Sequence, residues 1–181
     1  TFPQNRDLSH IEMSSGQEIA LIQHSSGTTG LQKTIALEHA QVMAQINAYG
    51  QALQFSNTDK IASWLPLYHD MGLITSLIGP PCWGIPVSAC DPISWVNTPA
   101  LILNMISNEQ VTHTWWPNFT FAFLAKRVLD HQLTKIDLSS LRMIINCAEP
   151  ITHDAMQQFQ RRFQVYNLNP NSLSSCYAMA E

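Results

Sequence analysis

Charge is scarce in this sequence. Asp, Glu, Lys and Arg make up 12% of its 181 residues, where an average soluble domain carries roughly a quarter. A free-standing surface normally needs more, so part of this one is expected to lie under further protein. Basic residues are scattered, the formal net charge is -4, and Lys126-Arg127 and Arg161-Arg162 are the only adjacent basic pairs. That excludes the basic footprint of a nucleic-acid partner; both pairs fall on expected helices and read as solvated faces. Cysteine is also sparse: four, at 82, 90, 147 and 176, with no Cys-x-x-Cys. Zinc sites of the usual spacing are therefore not expected, nor is a disulfide framework. No apolar run approaches the roughly 20 residues needed to span a bilayer, and the N-terminus lacks the charged-then-apolar pattern of a signal peptide. A reducing cytoplasm is the expected compartment. Repeats and low-complexity segments are lacking too.

What is present is an alternation of strand-like and helix-like segments behind a polar lead-in at residues 1–17. Hydrophobic residues reach 45%, enough for one domain with a core. Strands are expected at Ile19–Gln23, Ile35–Leu37, Ile61–Leu65, Ile85–Ala89, Val111–Trp116 and Leu141–Cys147. Residues 39–54 read as a helix with Val42, Ile46, Tyr49 and Leu53 on one face. Met71–Ile78 reads as a short helix running into Gly79-Pro80-Pro81. Thr98 is expected to cap a helix opening at Pro99, Asn118 one running to about Asp130, and Thr152 one buried along Ala155, Met156, Phe159 and Phe163. The expected fold is α/β, with a layered, largely parallel sheet flanked by helices and buried on both faces.

Residues 25–33 read Ser25-Ser26-Gly27-Thr28-Thr29-Gly30-Leu31-Gln32-Lys33 and follow the first strand. Glycines permit sharp turns and close backbone approach to an anion. Successive N–H groups form an anion-binding concavity, hydroxyls add donors, and Lys33 adds a positive charge on a flexible stem. Three or four charge-assisted hydrogen bonds of about 1.5–3 kcal/mol each would hold a triphosphate. A Walker A loop requires glycine directly before the lysine, and Gln32 stands there. The competing view is a solvated turn between two strands, since Ser, Thr and Gly fill turns generally.

Three further segments bear on that choice. Trp64-Leu65-Pro66-Leu67-Tyr68-His69-Asp70-Met71-Gly72-Leu73-Ile74 is long and distinctive. Asn146-Cys147-Ala148-Glu149-Pro150 follows an apolar strand, where open α/β sheets place ligands. Cys176-Tyr177-Ala178-Met179-Ala180-Glu181 closes the sequence. Taken singly, these are a His-Asp pair, a strand-to-helix loop and a strand end. Together, in this order, over residues 18–181, they resemble the adenylate-forming superfamily of acyl-CoA synthetases, fatty acyl-AMP ligases, luciferases and nonribosomal adenylation domains. The fatty acyl-AMP ligase branch is the nearest, supported by Pro117-Asn118-Phe119 and by Asp137-Leu138-Ser139-Ser140-Leu141-Arg142. Four departures stand out: the family usually has proline and glycine around the lysine, where this chain has Gln32 and Thr34, and glycine and threonine where it has Ala178 and Ala180.

The resemblance implies ATP-dependent activation of a carboxylic acid, a fatty acid in that branch, to acyl-AMP with release of pyrophosphate. Transfer to coenzyme A or an acyl carrier protein would follow in the full-length protein. It implies ATP and Mg²⁺ as cofactors. Ser25, Ser26, Gly27, Thr28, Thr29, Gly30 and Lys33 would hold the phosphates, and Ala148, Glu149, Pro150, Tyr177, Ala178 and Met179 the nucleoside. Glu181 would hold Mg²⁺, a hard cation that prefers oxygen. His69 would lie near the acyl carboxylate, with Met71, Asn118 and Phe119 along the acyl chain; Trp83, Trp115, Trp116 and Phe123 are further candidates unless they are simply core. Lys33, His69 and Glu181 would be catalytic. It also implies that a ribose-binding aspartate and a small domain bearing a catalytic lysine lie outside residues 1–181, so these residues alone should not complete adenylation. A serine hydrolase using Ser25 or Ser26 with His69 and Asp70 is the weaker rival: no Gly-x-Ser-x-Gly elbow exists, and adjacent residues are not expected to form the orienting His–Asp bond. The other alternative is a decayed adenylation fold that recruits a partner.

Overall fold

A computed structural model describes residues 14–24 and 33–178. The described residues form two compact units, one within residues 14–52 and the other over residues 53–178. The phosphate-loop candidates Ser25–Gln32 and the terminal Met179, Ala180 and Glu181 lie outside the described residues.

In the first unit, β1 (Ile19–His24) pairs antiparallel with β2 (Thr34–Glu38), with Leu21 opposite Leu37 and His24 opposite Thr34. Lys33 is exposed immediately before β2. Helix α1 (His39–Leu53) follows β2 directly, its start tied by the Glu38 N–H donating to Gln41 Oε1 at 2.8 Å. The helical face read from the sequence holds: Ile46 and Leu53 are buried, and Val42 and Tyr49 are half-buried.

The second unit is a parallel sheet of five strands in the order β4-β3-β5-β6-β7, flanked by helices. Its strands are β3 (Ile61–Ser63), β4 (Val87–Ala89), β5 (His113–Pro117), β6 (Met143–Cys147) and β7 (Leu173–Ser175). Buried residues run consecutively through β3, β5 and β6 rather than alternating, as a sheet covered on both faces demands. Helices α6 (Asn118–Arg127) and α7 (His153–Phe163) connect β5 to β6 and β6 to β7. Phe121 and Phe159 from these helices pack edge-on around Trp116 at 5.4 and 5.3 Å between ring centroids. Trp115 and Trp116 are therefore core residues, 2% and 0% exposed, rather than walls of an acyl channel. From β3 the chain first goes outward to β4, then crosses back to β5. The strand order thus reverses beside β3, the position at which open α/β sheets bind ligands outside their carboxyl ends.

Several helix boundaries differ from expectation. The turn α2 (Asp70–Gly72) widens into a π-helix at Leu73–Ile78 and continues through the glycine–proline run as α3 (Gly79–Trp83). Pro80 and Pro81 fall in the first turn of α3, where their fixed φ suits the helix. Gly84, with φ of 70°, ends it by donating its N–H to the Pro80 and Pro81 carbonyls. A helix not anticipated from the sequence, α4 (Pro92–Asn97), is capped by Asp91 Oδ1 accepting from Ser94 N–H at 2.9 Å. Thr98 ends α4 rather than capping α5 (Ala100–Glu109), and Pro99 takes the cap position. The proline ring fixes φ but leaves this position without a side-chain acceptor.

At the amino ends of the strands lies a buried polar cluster. Asp59, just ahead of β3, is 1% exposed. It accepts two bonds from Arg142 Nη1 at 2.8 and 2.7 Å, and one from Ser56 N–H at 2.7 Å. His113, the first residue of β5, sits with Nδ1 3.7 Å from Asp59 Oδ1. Burial raises the Asp59 carboxyl, but the Ser56 and Arg142 hydrogen bonds outweigh it and hold the pKa down at about 2. Burial drives His113 down to about 4 against the raising effect of Asp59, so its ring is neutral at pH 7.

Candidate active site

Every chemically informative segment of the second unit leaves a carboxyl end of the parallel sheet. Residues 64–72 follow β3, Asn118 and Phe119 follow β5, Ala148–Pro150 follow β6, and Cys176–Ala178 follow β7.

After β3 the chain folds back on itself. Ser63 Oγ accepts from Leu65 N–H at 3.1 Å, and the Pro66 carbonyl from His69 N–H at 3.2 Å. His69 Nδ1 lies 2.7 Å from Asp70 Oδ1, which also accepts from Met71 N–H at 2.7 Å. The two side chains approach because both Nδ1 and Oδ1 accept from the Met71 N–H, at 3.2 and 2.7 Å, as helix-start caps rather than as the orienting His–Asp bond of a hydrolase. With Nδ1 so engaged, Nε2 is the ring atom presented to an outside group. Gly72 explains why the motif needs glycine: a Cβ there would stand 2.3 Å from the Pro66 carbonyl oxygen and 3.1 Å from Leu65 Cβ. Gly72→Ala therefore displaces the turn carrying His69. The expected cost is about 1–3 kcal/mol, read as a lower urea midpoint of the intact protein; an unchanged midpoint would mean that the turn yields freely.

After β5 and β6 one side chain does the joining. Asn118 Oδ1 accepts from Asn146 Nδ2 at 2.9 Å and from Thr152 N–H at 3.0 Å, while its Nδ2 donates to Thr152 Oγ1 at 3.0 Å. Pro117 holds the cap position of α6, so Asn118 enters as its first helical residue and its amide reaches across to the turn after β6. Thr152 does occupy the cap position of α7, but its side chain makes no capping bond. The turn is further held by Glu149, whose Oε1 accepts from Phe119 N–H at 2.5 Å. Within it Ala148 takes a φ of 76°, the left-handed region that glycine enters without strain. A cleft of about 550 Å³ opens beside this turn, lined by Ala148, Glu149, Pro150 and Ile151 on one side and Ser175, Cys176, Tyr177 and Ala178 on the other. Tyr177 is 87% exposed, so its ring is accessible to a ligand. A smaller groove of about 300 Å³ runs along α6 between Phe119, Ala122, Phe123, Lys126 and Arg127.

Residues 3–181 match the AMP-binding enzyme family. The chain belongs to that family. It is 33% identical over 174 residues to the medium-chain-fatty-acid–[acyl-carrier-protein] ligase TtuA of Teredinibacter turnerae, covering 96% of this chain and 27% of that protein. It is 29% identical to the long-chain-fatty-acid–AMP ligase FadD26 of Mycobacterium marinum, over 90% of this chain and 29% of that one. Its fold superposes with a TM-score of 0.89 on a fatty acyl-adenylate ligase from L. pneumophila solved with acyl adenylate and pyrophosphate, at 29% identity, over 96% of this chain and 31% of that chain. The chain thus spans about 30% of the length of such proteins.

Within this AMP-binding fold, the predicted nucleoside residues Ala148, Glu149, Pro150, Tyr177 and Ala178 share one cleft, and Asn118 and Phe119 are hydrogen-bonded to its turn. Met71 is buried at 8% exposure, while Phe119 is 48% exposed and edge-on to a stacked pair, Trp64 and Trp95, whose centroids are 3.7 Å apart. Trp83 packs instead against Phe55 at 4.8 Å. Lys33 belongs to the other unit. Ile151 and Trp95 were not read from the sequence as parts of this region, whereas Asn146, Cys176 and Trp64 stood within the recognised segments but were assigned no role there. Among the described residues no group of three or more His, Cys, Asp and Glu is arranged to hold a metal, and none of their helices is long and apolar enough to cross a membrane.

Proposed function

We propose that the intact protein joins a fatty acid to AMP: a carboxylate oxygen attacks the α-phosphorus of ATP, an acyl–phosphate bond forms, and the bond to pyrophosphate breaks. One observation carries this most: the turn after β6 and the Tyr177 segment after β7 line a common cleft at the carboxyl ends of parallel strands. Tyr177 would stack on the adenine, contributing about 1–3 kcal/mol, while the left-handed Ala148 turn frames the base. The barrier is largely electrostatic, because two anionic partners must meet. Lys33 and the Ser25–Gly30 amides and hydroxyls would neutralise the leaving pyrophosphate. Glu181 would take Mg²⁺. His69 Nε2 would face the acyl carboxylate and fix its approach; Met71 and Phe119 would border the chain. The acyl group would then pass to a thiol, that of coenzyme A or of an acyl carrier protein, in the cytoplasm. Residues 18–181 would form part of a larger adenylation domain, with the rest and a small lysine-bearing domain beyond them.

ATP–pyrophosphate exchange by the intact protein across fatty acids of increasing length tests this, and no exchange with any fatty acid would overturn it. Lys33→Ala should lower exchange about 30-fold, near 2 kcal/mol. ATP titration that ignores Lys33 altogether would favour the partner-recruiting alternative, to which Gln32, Thr34 and Ala178 give some footing. Residues 1–181 alone should yield no acyl-AMP.

A further inference from the structure

Two thiols stand together at the carboxyl ends of β6 and β7, and one of them, Cys176, lines the nucleotide-side cleft. β6 and β7 pair in parallel with Asn146 opposite Ser175, and Cys176 N–H donates to the Asn146 carbonyl at 3.0 Å. Cys147 ends β6 and Cys176 directly follows β7, so the register carried one residue further sets the two opposite each other and on the same side of the sheet. Neighbouring strands lie roughly 4.8 Å apart, inside the Cα separation of about 4.4–6.8 Å that a disulfide accepts. All four cysteines are thiols in this structure; Cys147 is 4% exposed, whereas Cys176 is half-buried and lines the cleft. The Cys176 sulfur, and burial after it, push the Cys147 thiol well above its ordinary range. Cys147 is thus the protected member, and Cys176 the one that a reagent entering the cleft meets first.

We propose that Cys147 and Cys176 are a modification site: a vicinal dithiol that a low-molecular-weight disulfide closes into an intrachain disulfide, opposing nucleotide occupancy of the cleft. The Cys176 sulfur, as thiolate, attacks one sulfur of the small disulfide; its S–S bond breaks and one thiolate leaves. Cys147 sulfur then attacks Cys176 sulfur, the mixed disulfide breaks, and the second small thiol departs. Two electrons pass from the protein to the small disulfide, and the two protein protons end on the two released thiols. Closure pins the last residue of β6 to the first residue beyond β7, immediately before Ala148 and Tyr177. In that way it alters the two walls between which the base would lie. A reducing compartment makes such a bond transient, which suits a switch rather than a staple. The disulfide itself depends only on strand register; the effect on nucleotide rests on the function proposed above.

The test treats the reduced intact protein with glutathione disulfide, blocks remaining thiols and maps the peptides without reduction. The expected product links the Cys147 peptide to the Cys176 peptide, and Cys147→Ser arrests the reaction as a glutathione adduct on Cys176. A wild-type protein that also stops at the adduct, or that pairs Cys176 with Cys82 or Cys90, would overturn the proposal. ATP titration of the closed form should show affinity reduced about tenfold or more, the size of one lost stacking contact, and restored by dithiothreitol. Equal affinity in both forms would sink the switch. Reduced protein that binds no ATP would instead refute the proposed function while leaving the disulfide in place.

Discussion

Asn118→Ala should reduce ATP–pyrophosphate exchange by about 150-fold, near 3 kcal/mol. Three hydrogen bonds disappear together, and they join the start of α6, the end of β6 and the turn leading into α7. Asn146 is 0% exposed, and its Oδ1 already has no hydrogen-bond partner. Without Asn118 its Nδ2 is stranded as well, and a buried unpaired amide costs about 1–3 kcal/mol. The remainder is positional: the turn carrying Ala148–Pro150 loses the anchor that sets its distance from Tyr177, and small misplacements are costly where reacting groups must be held in register. Asn118→Asp keeps Oδ1 as the acceptor for both Asn146 and Thr152 N–H, so it should recover part of the loss. Exchange rates at varied ATP and acid concentrations check this. A thermal midpoint that falls while exchange stays normal would reduce Asn118 to a purely structural role.

The second large effect is on stability, at the opposite end of the sheet. Asp59→Ala should destabilise the intact protein by about 3 kcal/mol, the lower end of the range for breaking a buried ion pair, because Arg142 is 43% exposed and regains water. The same cluster sets the acid response. His113 is held neutral, with its pKa lowered to about 4 from an ordinary 6.5. As pH falls through that interval the unfolded chain takes up a proton that the folded chain refuses, so stability declines by about 3 kcal/mol in total. Asp59, held at about 2 against an ordinary 3.8, adds a further loss as pH drops below roughly 4, because the unfolded carboxylate is protonated first. His113→Phe keeps the ring packed near Phe55, now 4.7 Å from the histidine ring, and should flatten the decline between pH 6.5 and 4. Urea midpoints of wild type and variant at pH 7 and pH 5 decide it; parallel declines would exclude His113 as the cause.

Patterns local in sequence were legible from it. The face Val42, Ile46, Tyr49 and Leu53 was readable because a helix repeats every 3.6 residues, and β6 because a strand covered on both faces is apolar without alternation. Cap positions around prolines were less so. Thr98 satisfies every local rule for an N-cap, yet Asp91 starts a separate helix ahead of it, and the short α4 has too little periodicity to announce itself. The turn residues Ala148, Glu149 and Pro150 were recognisable as a motif. That Glu149 would bind the backbone of Phe119, 30 residues away, was not, because side-chain reach across a sheet depends on strand order.

By itself the sequence determined the class of fold and the family, since both are written in neighbouring residues and their order. Only the tertiary structure decided that Ala148 and Tyr177 face a common cleft, that the Asn118 amide ties two strand ends together, and that Cys147 lies opposite Cys176. Parallel register and strand order bring these groups together across the sheet, and neither quantity is encoded in any single stretch of chain.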